Sequence, residues 1–169
     1  VPGAKSFHLI APGYGNLSGI TLGTANPYYV RFATSATSTV AGDAAAQKPT
    51  FFSLWIGNND VLSYASSGGL GTDQKGNTNP ASYGSNDISD PNVVAGAIKT
   101  VLETLKAAGS TKGVIANIPY VTSIPYFTTV PYNPLTPQKL GSNITVLNAS
   151  LYGPLQQALT AFGAGDRIN

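Results

Sequence analysis

Gly57-Asn58-Asn59-Asp60 is the stretch whose residue types and position best suit chemistry. It follows an apolar run, Thr50 to Ile56, that holds β-formers and the only Trp. Small polar residues at the C-terminal end of such a strand stand where open α/β sheets place their ligands. Amide side chains there are neutral hydrogen-bond donors that do not compete as bases. On local chemistry alone the tetrapeptide is equally a helix-capping turn, because Asn and Asp are preferred at caps.

Other chemistries find little support. His8 is the only histidine, no Gly-x-Ser-x-Gly surrounds any serine, and Gly15-Asn16-Leu17-Ser18-Gly19 has the wrong spacing for such an elbow. At an apolar helix start, His8 reads as a packed or surface residue rather than as a base. One histidine and seven scattered carboxylates form no ligand cluster at recognised metal spacing, so no metal or other cofactor is expected. The absence of cysteine removes disulfides, thiolate sites and a Cys nucleophile.

Charged residues make up 9% of the 169, against roughly a quarter in an average domain, so the surface is polar but mostly uncharged. Nine Lys and Arg spread along the chain form no basic stripe, which argues against a nucleic-acid partner. No run approaches the roughly 18 apolar residues of a membrane span. The low-charge composition, rich in Asn, Thr and Gly, suits an exported protein, secreted or in the cell envelope. Val1 in place of an initiator Met suggests a processed chain or a piece of a longer one.

The positioning elements follow from periodicity and punctuation. Val1 to Lys5 reads as the tail of a strand turning into a short helix through Ile10, which Pro12 and Gly13 end. Asn26-Pro27 caps a second short helix, and Val40 to Gln47 forms a third before Pro49 delivers the chain into the strand at Thr50. That strand is expected to be covered on both faces by helices. One or two helical turns follow the tetrapeptide, then the long polar segment Ala65 to Ile88 reads as a functional or disordered loop. Ser89 or Asp90 caps the clearest helix, which has Pro91 in its first turn and Gly109 past its end. Val93, Val94, Ala97, Ile98, Val101, Leu102 and Leu105 share one face of it. Lys112 to Pro119 forms a second strand, and strand, helix, strand in that order implies a parallel crossover. After an irregular loop, Tyr120 to Pro137, a last helix spans about 143–162, kinked or divided at Pro154. A single domain, 1–169, is expected.

Gly57-x-Asn59-Asp60 after a hydrophobic strand resembles the third conserved block of the SGNH or GDSL hydrolases, serine esterases and lipases on a three-layer α/β/α sandwich with a flavodoxin-like parallel sheet. Val1-Pro2-Gly3-Ala4-Lys5 is similar to the second block, and its separation from the third suits the family. Val1 to Ser6, Phe51 to Asp60 and Ala116 to Pro134 most resemble lipase-type members from Bacteroidetes-type bacteria. The resemblance implies that the Gly3 backbone N–H and the Asn59 amide donate to an oxyanion, that Asn58 and Asp60 line the substrate site, and that Asp60 also holds the loop or caps the next helix. The substrate is then an ester or lipid.

Two blocks of the family are absent from these residues. The Gly-Asp-Ser of the nucleophile would precede Val1, and the Asp-x-x-His of the base would follow Asn169, so neither nucleophile nor base is assigned within this chain. Gly42-Asp43-Ala44 lacks the serine. The resemblance therefore implies the central portion of a hydrolase, inactive without the remainder of the same protein. It also implies an unpaired sheet edge where the first-block strand would lie. The alternative from another class is a non-catalytic surface or carbohydrate-binding module presenting Tyr28, Tyr29, Tyr120, Tyr126 and Tyr132 as aromatic platforms.

Overall fold

The computed structural model describes residues 1–129 and 134–165. Tyr132 and part of the Tyr120–Pro137 loop lie outside the described residues. Contacts divide the chain into two units, Val1–Ser123 and Ile124–Asn169.

The first unit is a mixed α/β arrangement around a two-stranded parallel sheet, β1 (Phe52–Leu54) and β2 (Gly113–Ile115), paired Phe52 to Gly113, Ser53 to Val114 and Leu54 to Ile115. Gly113 is required at this register, because a Cβ there would stand 2.5 Å from the Phe52 ring. Helix α1 (Val40–Ala46) enters the sheet, α2 (Asn58–Ser66) leaves β1, and α3 (Pro91–Ala107) makes the crossover. Short 3₁₀ helices occupy Ser6–Ile10 and Tyr29–Arg31. Among the described residues, no helix is long and apolar enough to cross a membrane.

Helix α3 obeys its sequence signals. The Asp90 carboxylate accepts from the N–H groups of Asn92 and Val93, Pro91 needs no partner in the first turn, and Gly109 takes φ +93° beyond the end. Its apolar stripe is buried or half-buried along its whole length, while Lys99 and Glu103 pair on the solvent side. Val101 and Leu105 join Ala4, Leu9, Tyr14, Tyr29, Ala41 and Ala45 in one core, with Phe52, Leu54 and Ile56 packed against it.

The expected two-sided cover of β1 is corrected by the structure. Burial alternates strictly from Phe51 to Ile56, with Phe52, Leu54 and Ile56 turned to the core and Phe51, Ser53 and Trp55 exposed, Trp55 by 65%. An apolar run records only that a strand can be buried, not that both faces are. One edge of β1 also has no strand partner among the described residues. Val1 to Lys5 is a turn rather than a strand tail, closed by Ala4 N–H on the Val1 carbonyl.

The long segment from Ala65 to Ile88 is ordered by buried carboxylates. Asp87 accepts from the N–H groups of Thr72 and Gly84 and from the Gln74 amide. Asp90 adds the Gly76 N–H to its helix cap. The Lys5 ammonium closes the arrangement at 2.7 Å from the Asp87 carbonyl. Polar loop composition here reflects internal satisfaction of backbone groups rather than disorder.

Among the described residues of the second unit, the α-helices are α4 (Pro125–Thr128), α5 (Pro137–Leu140), α6 (Asn143–Leu147) and α7 (Gly153–Ala161). A π turn at Asn148–Tyr152 joins α6 to α7, closed by Gly153 N–H on the Asn148 carbonyl. Pro154 has no N–H to give to the preceding turn, and the widened turn absorbs the mismatch. Gly153 suits the position, since a Cβ would lie 2.7 Å from that carbonyl.

Candidate functional site

The tetrapeptide spans a strand-to-helix turn. Gly57 holds φ +105° as the residue before α2, a conformation other residues adopt only with strain, and a Cβ there would stand 2.6 Å from Ile118 Cδ1. The chain thus turns sharply and presents Asn58, Asn59 and Asp60 as the first turn of α2.

Asn59 and the Gly3 loop come together. Asn59 Nδ2 donates to the Ala4 carbonyl at 2.9 Å, which ties the turn after β1 to the N-terminal segment. That bond uses one of its two amide hydrogens; the other meets no acceptor among the described residues. Gly3 takes φ +75°, is exposed, and its N–H likewise finds no acceptor among the described residues. Asn26 Nδ2 donates to the Pro2 carbonyl at 2.9 Å. The Pro2 carbonyl and the Gly3 N–H belong to one peptide group, so a hydrogen bond accepted at the oxygen polarises the N–H that remains free.

Asp60 is buried against the N-terminal segment. It is 1% exposed, and its oxygens accept from Ser6 N–H at 2.7 Å and Ser6 Oγ at 2.9 Å. With the Asn59 bond, it makes the second clamp between α2 and the N-terminal segment. Asn58 is half-buried, and its Oδ1 is buried with no partner among the described residues.

His8 is half-buried within the N-terminal segment. Its Nδ1 accepts from the Lys5 N–H at 3.0 Å, which leaves the proton on Nε2, and its ring stacks on Tyr14 at 4.4 Å. Burial pushes it down to about 4; nearby Asp60 opposes that shift and Lys5 adds to it. The imidazole is therefore neutral at pH 7. Burial likewise lowers Lys5, against the pull of Asp60 and Asp87. Among the described residues, no group of three His, Cys, Asp or Glu side chains could hold a metal ion.

Of the aromatic-platform residues, Tyr29 is excluded because it is fully buried, with its hydroxyl donating to Asp43 at 2.6 Å. Burial alone would raise Asp43, but hydrogen bonds from Thr34, Tyr29 and Ser38 outweigh it and hold the carboxyl at about 2. Tyr28, Tyr120 and Tyr126 are exposed. Sequence reading missed Asn26 as a link to the Gly3 peptide. Its pairing with Pro27 signals only the cap that it also makes, through Oδ1 to the Tyr28 and Tyr29 N–H groups.

Comparison with protein-family models, curated proteins and solved structures finds no match to the chain.

Proposed function

We propose that this chain supplies the oxyanion-binding half of a serine esterase or lipase of the SGNH type, acting on carboxylic esters outside the cytoplasm, in the envelope or medium. The observation that carries the reading is the Asn59 to Ala4 bond, which ties the Asn59 amide to the residue after Gly3, while the second Asn59 amide hydrogen and the Gly3 N–H both lack an acceptor among the described residues. In acyl transfer a serine attacks the ester carbonyl, and negative charge develops on its oxygen. Two fixed neutral donors favour that charge without reorganising, and loss of one such donor costs on the order of 3 kcal/mol. Collapse releases the alcohol and leaves an acyl-enzyme, which water then opens with the help of a histidine base.

Serine and histidine are supplied, on this reading, by the remainder of the same protein. An apolar cavity of about 480 Å³ along β1, walled by Val1, Leu9, Val40, Leu54, Ile56 and Leu105, suits a further strand of the three-layer sandwich. Phe52 and Leu54 bond to the β2 side through Lys112 and Ala116, so by strand alternation the Ser53 and Trp55 backbone groups face this cavity. A strand laid there parallel to β1 would run toward the Gly57 turn, where a nucleophile is needed.

The test uses the complete reading frame and a short-chain nitrophenyl ester. A fluorophosphonate is expected to label a serine outside residues 1–169, and Asn59→Ala to lower kcat by about 100-fold or more with little change in KM. Fluorophosphonate-sensitive turnover by the 169-residue chain, or an unchanged kcat in Asn59→Ala, defeats the proposal. The carbohydrate-binding alternative draws support from Tyr28 and Phe32, both exposed and lining one surface depression. A reading frame containing Gly-Asp-Ser upstream and Asp-x-x-His downstream decides for the hydrolase over this alternative.

A further inference from the structure

We infer that Pro2, Tyr28, Arg31 and Phe32 form a subsite for a ring that carries a carboxylate. They line an open surface depression of about 420 Å³. Tyr28 is 53% and Phe32 62% exposed, so each offers ring surface to a ligand.

The backbone that carries Tyr28 is fixed, and the Phe32 ring is packed. Asn26 Oδ1 accepts from the N–H groups of Tyr28 and Tyr29, and Phe32 packs edge-on against buried Tyr29 at 5.4 Å. Rigid exposed aromatics lose little freedom on binding a ring. Stacking on them accepts either an aromatic or a sugar ring.

Arg31 supplies the charge preference. It is exposed and pairs with no carboxylate among the described residues. Asp43, the acid nearest to it in sequence, is engaged by Tyr29, Thr34 and Ser38. A planar guanidinium lining the same depression as two aromatic rings matches a carboxylate through paired N–H donors.

The pocket adjoins the oxyanion candidates through a single peptide. Pro2 lines it, and the Pro2 carbonyl that Asn26 holds belongs to the same peptide group as the Gly3 N–H. The role as a substrate subsite rests on the esterase reading, whereas ligand binding does not. An ester of a uronate or of an aromatic acid bearing a second carboxylate would place its ring here and its ester carbonyl at Gly3.

The experiment is a calorimetric or NMR titration of the protein expressed from its complete reading frame with benzoate and galacturonate, against benzamide and galactose as uncharged counterparts. At least one of the two acids is expected to bind about tenfold or more tightly than its counterpart. Arg31→Gln should abolish that preference, and Phe32→Ala should weaken the acid and its counterpart alike. Which acid binds distinguishes an aromatic from a sugar ligand. Equal binding of charged and uncharged rings, no binding of either acid, or a preference that survives Arg31→Gln overturns the subsite. No turnover is read, so failure here leaves the esterase proposal intact, and failure of the esterase assay leaves the subsite intact.

Discussion

Asp60 and His8 show how two residues that invite catalytic readings serve the fold. The Asp60 carboxylate sits 1% exposed against both polar groups of Ser6. Asp60→Asn keeps the shape but removes the charge and turns one acceptor into a donor facing the Ser6 N–H or Oγ. Hydrogen bonds to charged groups contribute about 1.5–3 kcal/mol each, so the variant should lose stability by about 2 kcal/mol or more. A urea midpoint that does not move would deny Asp60 its clamping role. For His8, burial lowers the folded value from 6.5 to about 4, so between those values the unfolded chain binds more protons than the folded one. Stability is therefore fully present above pH 6.5 and declines as pH falls toward 4. His8→Gln should flatten that slope when urea midpoints are compared at pH 7 and pH 5, and an unchanged slope would assign it to other groups.

Among the elements, the segment between α2 and α3 depends on acids rather than on apolar packing. Asp87 gathers Thr72, Gln74 and Gly84, and those bonds, led by the Thr72 N–H, hold its carboxyl below the usual range. Asp87→Ala leaves two backbone N–H groups unpaired and should open the segment locally without melting α3, whose cap is Asp90. Limited proteolysis should then cut within 65–88 several-fold faster while far-UV helicity stays the same. Equal cleavage rates in the variant and its parent would show that the loop is ordered by something else. Helix α3 was legible in the sequence because its stripe, cap, Pro91 and Gly109 are all local signals. The loop was not, because Lys5 reaches Asp87 and Ser6 reaches Asp60 across long separations that no periodicity records. The candidate site divides the same way. The turn at Gly57 could be read from residue types, but the Asn59 and Asn26 bonds to the N-terminal segment exist only in three dimensions. The one-sided burial of β1 was hidden because apolar residues occupy both faces of the strand.

For the whole molecule, the dominant feature is a sheet left open at β1. Among the described residues that edge has no partner, Phe51 and Trp55 are 58% and 65% exposed, and an apolar cavity runs alongside. An unpaired, uncharged strand edge of this kind templates pairing with another chain. The 169-residue chain is therefore expected to self-associate, with its light-scattering mass rising toward a dimer or beyond at about 100 μM. Trp55→Lys places a charge on the exposed face next to the edge and should return the mass to that of a monomer, with the core-facing Leu54 and Ile56 untouched. On the esterase reading, a further strand supplied by a longer reading frame should have the same effect by occupying the edge, and would also raise the urea midpoint, which the lysine cannot do. A chain that remains monomeric throughout the concentration series would mean that the edge is already protected, and the case for a further strand beside β1 would fail with it.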